Sequence, residues 1–379
     1  MFQKLSLILS SFLLFFAHAL AGAAPLLTPT ELNALLAEHG AVGQDASAQG
    51  ASAQDASVQD ASAQGASAQE SAGQDAAAQD VSADDASAQD VAVAGQDTAQ
   101  QAGQLKLRIL DIRPLEDYEA GHIEGAVSAP YARWRGPANS PGQLVDTQTL
   151  TQLVRELGID QDTKVVVSSS GADPTDFGAA ARVYWTLKYL GLQELSILNG
   201  GLQSWVQAGF DVDDSIVEVE ATDYQPVIND SVLATQEYVV AQLDQPGTVL
   251  IDARPESFFL GKNKAPTAKM PGTIKNSVNV AHDKWFEPGT ALFVTPEKAK
   301  EIAQNLNSPT AEETISFCNT GHWAATDWFA LSEIVGQPNA KLYPASLAEW
   351  TQASPALPMQ NVPSRGQQLL DKLKGLFTG

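Results

Sequence analysis

The chain has 379 residues, enough for about two domains, and its 44% hydrophobic content can supply sizeable cores. A formal net charge of −23 argues against nucleic acid as a partner. One cysteine and five scattered histidines give neither a disulfide nor metal-ligand spacing, so no metal and no cofactor is expected.

At the N-terminus Lys4 precedes the apolar run "LSLILSSFLLFFA" and the small residues of "HALAGAA". That order predicts a secretory signal peptide over 1–23, cut after Ala21 or Ala23, and a periplasmic location. The run falls short of the roughly 20 apolar residues of a spanning helix, so the mature protein is expected to keep no membrane span. "LLTPTELNALLAEHG" (26–40) predicts a short helix capped by Thr30, with Leu32, Leu35 and Leu36 on its apolar face. From 43 to 104 a degraded five-residue repeat ("QDASAQGASAQ") carries nine Asp, one Glu and no Lys or Arg, leaving −13 for the rest (−23 plus ten). Without aromatic residues it cannot bury enough apolar surface to offset ordering entropy, and it reads as a disordered, low-complexity insert.

Ordered sequence resumes at "LKLRILDIR" and contains an internal repeat. "ILDIRP" (109–114) recurs as "LIDARP" (250–255). "HIEGAVSAPYARW" (122–134) recurs as "TIKNSVNVAHDKW" (273–285). "GAAARVYWTLKYLG" (178–191) recurs as "WAATDWFALSEIVG" (323–336), and "LNGGLQSW" (198–205) as "YPASLAEW" (343–350). The offsets are 141, 151, 145 and 145. Two copies of one α/β domain follow, 24–215 and 229–354, with a linker at 216–228 and a tail at 355–379. In each copy strands such as "KVVVSS" and "ETISF" alternate with helices, which predicts a mainly parallel sheet with helices on both faces. The tail places Leu369, Leu370, Leu373, Leu376 and Phe377 near one helical face.

The only cysteine, Cys318, falls between "ETISF" and the next helix, where parallel sheets place their sites. Such a loop can aim main-chain N–H groups at one point, and Gly321 permits the tight turn. A thiol in that setting ionises more easily than free cysteine. Thr320 and His322 could add donors. The alternative is a buried, inert small residue. In the first copy "SSSGADPTDFG" holds the matching place without a thiol.

The D-x-R at each domain start, "YEAGHIEGA", the Cys-x-x-Gly loop and "LNGGLQSW" together resemble the rhodanese sulfurtransferases of the tandem, exported bacterial type. The likeness covers about 26–42 and 105–354. It implies an inactive first copy and a catalytic second one. Cys318 would take sulfur from a small anionic donor such as thiosulfate and pass it, as a persulfide, to cyanide or a thiol. Arg254, Asn319, Thr320, Gly321, His322 and Trp323 would contact substrate, in a monomer. Asn319 and Trp323 stand where many members carry other residues, so little fixed positive charge is expected there. Arg254 has a second reading, a structural pair with Asp252. Lys262, Lys264 and Lys269 could line an entrance or form a solvated loop. A cysteine phosphatase would need arginine six residues after the cysteine, where this chain has Ala324. The remaining alternative is an exported module that carries sulfur or binds a partner without turnover.

Overall fold

A computed structural model describes residues 23–39, 106–306, 311–364 and 366. The signal segment except Ala23, the acidic repeat and the five apolar tail residues lie outside these. Described residues up to Asn33 and from Leu107 onward form one compact unit holding both copies. Of the other unit, 34–106, only the end of a helix and Lys106 are described.

The first copy opens with β1 (Leu26–Leu27) and helix α1 (29–39). Thr28, not Thr30, caps α1. Its hydroxyl accepts from Glu31 N (3.3 Å) while the Glu31 carboxylate accepts from Thr28 N (2.8 Å). This reciprocal box needs a glutamate three residues on, which Thr28 has and Thr30 lacks. Next come β2 (Lys106–Asp111), α2 (Leu115–Glu119), β3 (Ala126–Ser128), α3 (Thr147–Glu156), β4 (Thr163–Ser168), α4 (Pro174–Leu190), β5 (Leu195–Leu198) and α5 (Gly201–Gln207). The sheet order is β1-β5-β4-β2-β3. Pairs β1–β5, β4–β5 and β2–β3 are parallel.

The second copy contains α6 (Gln236–Gln242), β6 (Thr248–Asp252), α7 (Glu256–Phe259), β7 (Thr273–Ile274), β8 (Val278–Asn279), α8 (Pro296–Gln304), β9 (Glu313–Phe317), α9 (Trp323–Phe329), β10 (Ala340–Leu342), α10 (Ser346–Trp350) and β11 (Met359–Gln360). Its sheet, β10-β9-β6-β8, is parallel throughout. A single parallel bridge, Leu233 to Leu342, stands where the first copy has β1. Strands β7 and β11 form a separate antiparallel pair.

The copies share one apolar core. Helix α4 starts at Asp173, whose carboxylate accepts from Asp176 N (2.9 Å), and ends at Gly191 in a left-handed conformation (φ 106°). It is buried nearly all round, as a helix lodged between two packed domains must be. Phe177 on α4 meets Phe286, Phe293 and Phe329 of the second copy at 5.2, 5.2 and 5.5 Å between ring centroids. Removing such a buried ring costs about 3–5 kcal/mol. Lys188 and Tyr184 both reach Glu333 Oε2 at 2.8 Å. The loop that carries Cys318 lies beside this interface.

Candidate active site

Cys318 directly follows β9 and is 1% exposed. Its N–H donates to Ser346 Oγ (3.1 Å), whose hydroxyl donates to Tyr343 O (2.8 Å). The carbonyls of Cys318 and Asn319 accept from Leu347 N (3.2 Å) and Ala348 N (3.0 Å). The first copy repeats this frame. Leu202 N and Gln203 N donate to Ser169 O and Ser170 O, and Ile112 N donates to Ser168 O as Ala253 N does to Phe317 O. Ser169 is therefore the structural counterpart of Cys318.

Ser346 has φ 56°, in the left-handed region that costs an L-residue roughly 1–2 kcal/mol. Its counterpart by the 145 offset, Gly201, has the same φ of 56°. The second copy keeps a side chain in a conformation suited to glycine, and that side chain holds the N–H of the cysteine.

Beyond Cys318, the main-chain N–H groups of Asn319, Thr320, Gly321, His322, Trp323 and Ala324 donate to no acceptor among the described residues. Gly321 has φ 67°, and a Cβ there would lie 2.3 Å from Pro344 O and 2.5 Å from Arg182 Nη1. A row of unpaired amides at a turn is an anion-binding arrangement. Helix α9 is only seven residues long before it passes into a π-helical stretch, Ala330–Val335. The loop amides and the first turn of α9 contribute partial positive charge at this point.

The loop is braced by the first copy. Arg135 Nη2 donates to Thr320 O (2.9 Å), and Arg182 Nη1 donates to Gly321 O (3.3 Å). His322 Nε2 contacts Thr175 O (2.7 Å) and its Nδ1 contacts Tyr131 OH (2.9 Å). A carbonyl can only accept, so Nε2 carries the proton and Nδ1 accepts from Tyr131. Burial, followed by the nearby Arg135, pulls the His322 pKa down to about 4. His322 is thus neutral at pH 7 and ties the loop to the first copy. The fixed charge near the cysteine comes from Arg135 and Arg182, which sequence reasoning missed along with Tyr131 and Ser346. Arg182 did leave a signal: it is an arginine inside the otherwise apolar "GAAARVYW".

Arg254 is buried against Asp252, with Nε and Nη2 at 2.8 and 2.6 Å from its oxygens and Nη2 also 2.8 Å from Gly272 O. Arg113 makes the same clamp with Asp111 and Gly121 in the copy without a thiol. The clamp therefore belongs to the fold. Only Nη1 of Arg254 turns to the loop, 3.4 Å from Asn319 Oδ1. Trp323 stacks on His282 (4.7 Å, 8°) and meets Phe258 edge-on at 6.3 Å. Its buried Nε1 has no partner. Lys264 Nζ donates to Ala265 O and Ala268 O, and Lys269 Nζ to Gln352 O, while Lys262 is exposed. Asp327, fully buried on α9, has its carboxyl pushed well up by burial and accepts from Trp285 Nε1 (2.8 Å).

Two fused copies of one α/β domain, one with a thiol at the carboxyl end of its sheet, define the class of protein. The chain belongs to the rhodanese family: the rhodanese-like domain matches residues 95–208 and again 235–353. A putative thiosulfate sulfurtransferase of Mycolicibacterium smegmatis is 31% identical over 243 residues, 62% of this chain and 84% of its own. A probable 3-mercaptopyruvate sulfurtransferase of Pseudomonas aeruginosa is 30% identical over 277 residues, 68% of this chain and 94% of its own. Among solved structures, an anaerobic ergothioneine biosynthesis enzyme from Chlorobium limicola with trimethyl histidine shares the fold. Its TM-score is 0.61 at 18% identity, covering 68% of this chain and 65% of that one. With these relatives the chain is a sulfurtransferase of the thiosulfate sulfurtransferase-like kind.

Proposed function

We propose that the protein moves a sulfane sulfur from a small anionic donor such as thiosulfate to a thiophilic acceptor, cyanide or a thiol, through a persulfide on Cys318. The Cys318 thiolate attacks the outer sulfur of thiosulfate, the S–S bond breaks, and sulfite leaves with its electron pair. The sulfur now on Cys318 bears the negative charge. Cyanide then attacks that sulfur, the new S–S bond breaks, thiocyanate departs and the thiolate returns. The observation that carries this reading is the run of six unpaired amides beginning at the residue after the only thiol. Amides with no acceptor of their own are free to receive the charge that develops on the sulfur without first breaking another bond. Thiosulfate and 3-mercaptopyruvate, the donors named for the relatives, are both anions that this field favours.

The test is sulfite release from thiosulfate plus cyanide by the purified protein and by Cys318→Ser. Turnover by the wild type alone supports the reading; equal rates overturn it, and no turnover in either leaves a sulfur-carrying or partner-binding module in its place. We also propose export to the periplasm and action as a monomer. Strand β1 starts at Leu26, so a chain cut after Ala21 or Ala23 keeps it entire. Terminal sequencing of the periplasmic fraction checks the cut, and an uncut or cytoplasmic product contradicts it.

A further inference from the structure

Arg182 belongs to α4 of the first copy, yet it lies against the cysteine loop of the second. It is fully buried. Nη1 donates to Gly321 O and Nη2 to Gly142 O, both at 3.3 Å. Its guanidinium carbon lies 5.2 Å from the centroid of the Trp185 ring, and its Nε has no partner among the described residues. No described carboxylate comes within ion-pair distance. A buried cation served by two long carbonyl contacts and one aromatic face still lacks an anion, and buried charges are normally matched by one.

Among the described residues, Arg135, Tyr131 and Cys318 act electrostatically on this charge, and it acts on His322. Arg135 is itself a cation. His322 is neutral at pH 7, and burial pushes the Tyr131 hydroxyl up, so it stays protonated. Cys318 is the one remaining group that can carry negative charge, as thiolate or as persulfide.

We propose that Arg182 is the standing counter-charge of the sulfur anion at Cys318, supplied across the interface by the copy that has no thiol. This rests on the sulfur-transfer reading of the site. Arg182 acts through its field and through Gly321, which makes it a positioning residue. Burial and the neighbouring Arg135 pull its pKa down to about 9, so at neutral pH it is still charged and unmatched. The first copy then does more than support the fold: it completes the electrostatics of its twin.

The experiment compares wild type, Arg182→Met and Arg182→Lys. One readout is sulfur loading from thiosulfate. The other is Cys318 alkylation by anionic iodoacetate and by neutral iodoacetamide, followed by intact mass. Arg182→Met should load sulfur at least about tenfold more slowly, with iodoacetate slowed more than iodoacetamide, and Arg182→Lys should recover most of both rates. Equal slowing by the two reagents, with no recovery in Arg182→Lys, would reduce Arg182 to a packing role and overturn the proposal. Wild-type rates in Arg182→Met would overturn it too, with sulfur transfer left standing. If the wild type takes up no sulfur, the transfer reading fails, and the reagent ratio still judges Arg182. Should Arg182→Met not fold, wild type freed of excess thiosulfate after loading should melt a few degrees higher than before loading, with Cys318→Ser unmoved. An unchanged or lower midpoint would contradict a counter-charge.

Discussion

The two copies build the same turn and put it to opposite uses. In the first, Gly171 N donates to Asp176 Oδ2 (2.6 Å), Ala172 N to Ser170 Oγ (3.2 Å) and Asp176 N to Asp173 Oδ1 (2.9 Å). Pro174, at the head of α4, has no N–H to offer. The Asp176 carboxylate and the Ser170 hydroxyl thus take two of the turn's amides, while those of Ser170, Asp173 and Thr175 donate to no acceptor among the described residues. In the second copy the six N–H groups from Asn319 to Ala324 have no such partner. Lacking a cysteine is thus only part of what separates the copies: the first also ties two of its turn amides to its own side chains, while two of its arginines brace its neighbour's loop.

Grafting the thiol breaks the comparison most sharply. Cys318→Ser combined with Ser169→Cys places a thiol at the matched point of the first copy. It should show no sulfite release above Cys318→Ser alone, a loss of at least about a thousandfold against wild type, because removing a nucleophile that acts with its site abolishes most of the catalysis. Recovered turnover in the graft would mean that the two paired amides are no obstacle.

A smaller effect is expected at the strained pair, Ser346 and Gly201. Ser346→Gly relieves roughly 1 kcal/mol of left-handed strain and loses two hydroxyl hydrogen bonds, each of about 1 kcal/mol. Stability by denaturant melt should fall by about 1 kcal/mol while kcat falls several-fold, since the cysteine N–H loses its anchor. A large destabilisation with normal kcat would make Ser346 structural only.

A third effect concerns acid. His322 has a folded pKa of about 4 against an unfolded value near 6.5. Between those values the unfolded chain binds the proton and the folded one does not, so stability falls as pH drops from 6.5 towards 4. The contribution is on the order of 2 kcal/mol by pH 4.5. The counterpart position by strand register holds Asp173, which cannot act this way. Urea melts of wild type and His322→Gln at pH 7 and 4.5 should show a shallower acid loss in the variant, and parallel losses would refute the assignment.

Much of this was legible in the sequence. The repeat, the parallel α/β pattern, the place of Cys318 and the need for Gly321 all follow from local signals: strand runs, a turn residue and matched offsets. The bracing set was harder to see. Tyr131, Arg135 and Arg182 reach the loop from 139 to 191 residues away, and no local pattern reports which face of one copy meets the other. Arg254 was ambiguous because a D-x-R suits either role. The same clamp at Arg113, in a copy with no thiol, shows that the aspartate pairing belongs to the fold, while Nη1 of Arg254 still faces the loop. Ser346 could have been noticed from the aligned "LNGGLQSW" and "YPASLAEW", which put a serine opposite a glycine. Its value became visible only with its φ and its bond to Cys318 N.

The most direct measurement is the intact mass of the protein after incubation with thiosulfate and removal of excess reagent. The account predicts a gain of one sulfur, about 32 Da, mapped to Cys318, reversed by cyanide and absent in Cys318→Ser. An unchanged mass under conditions that preserve persulfides, or a gain that survives Cys318→Ser, would contradict it.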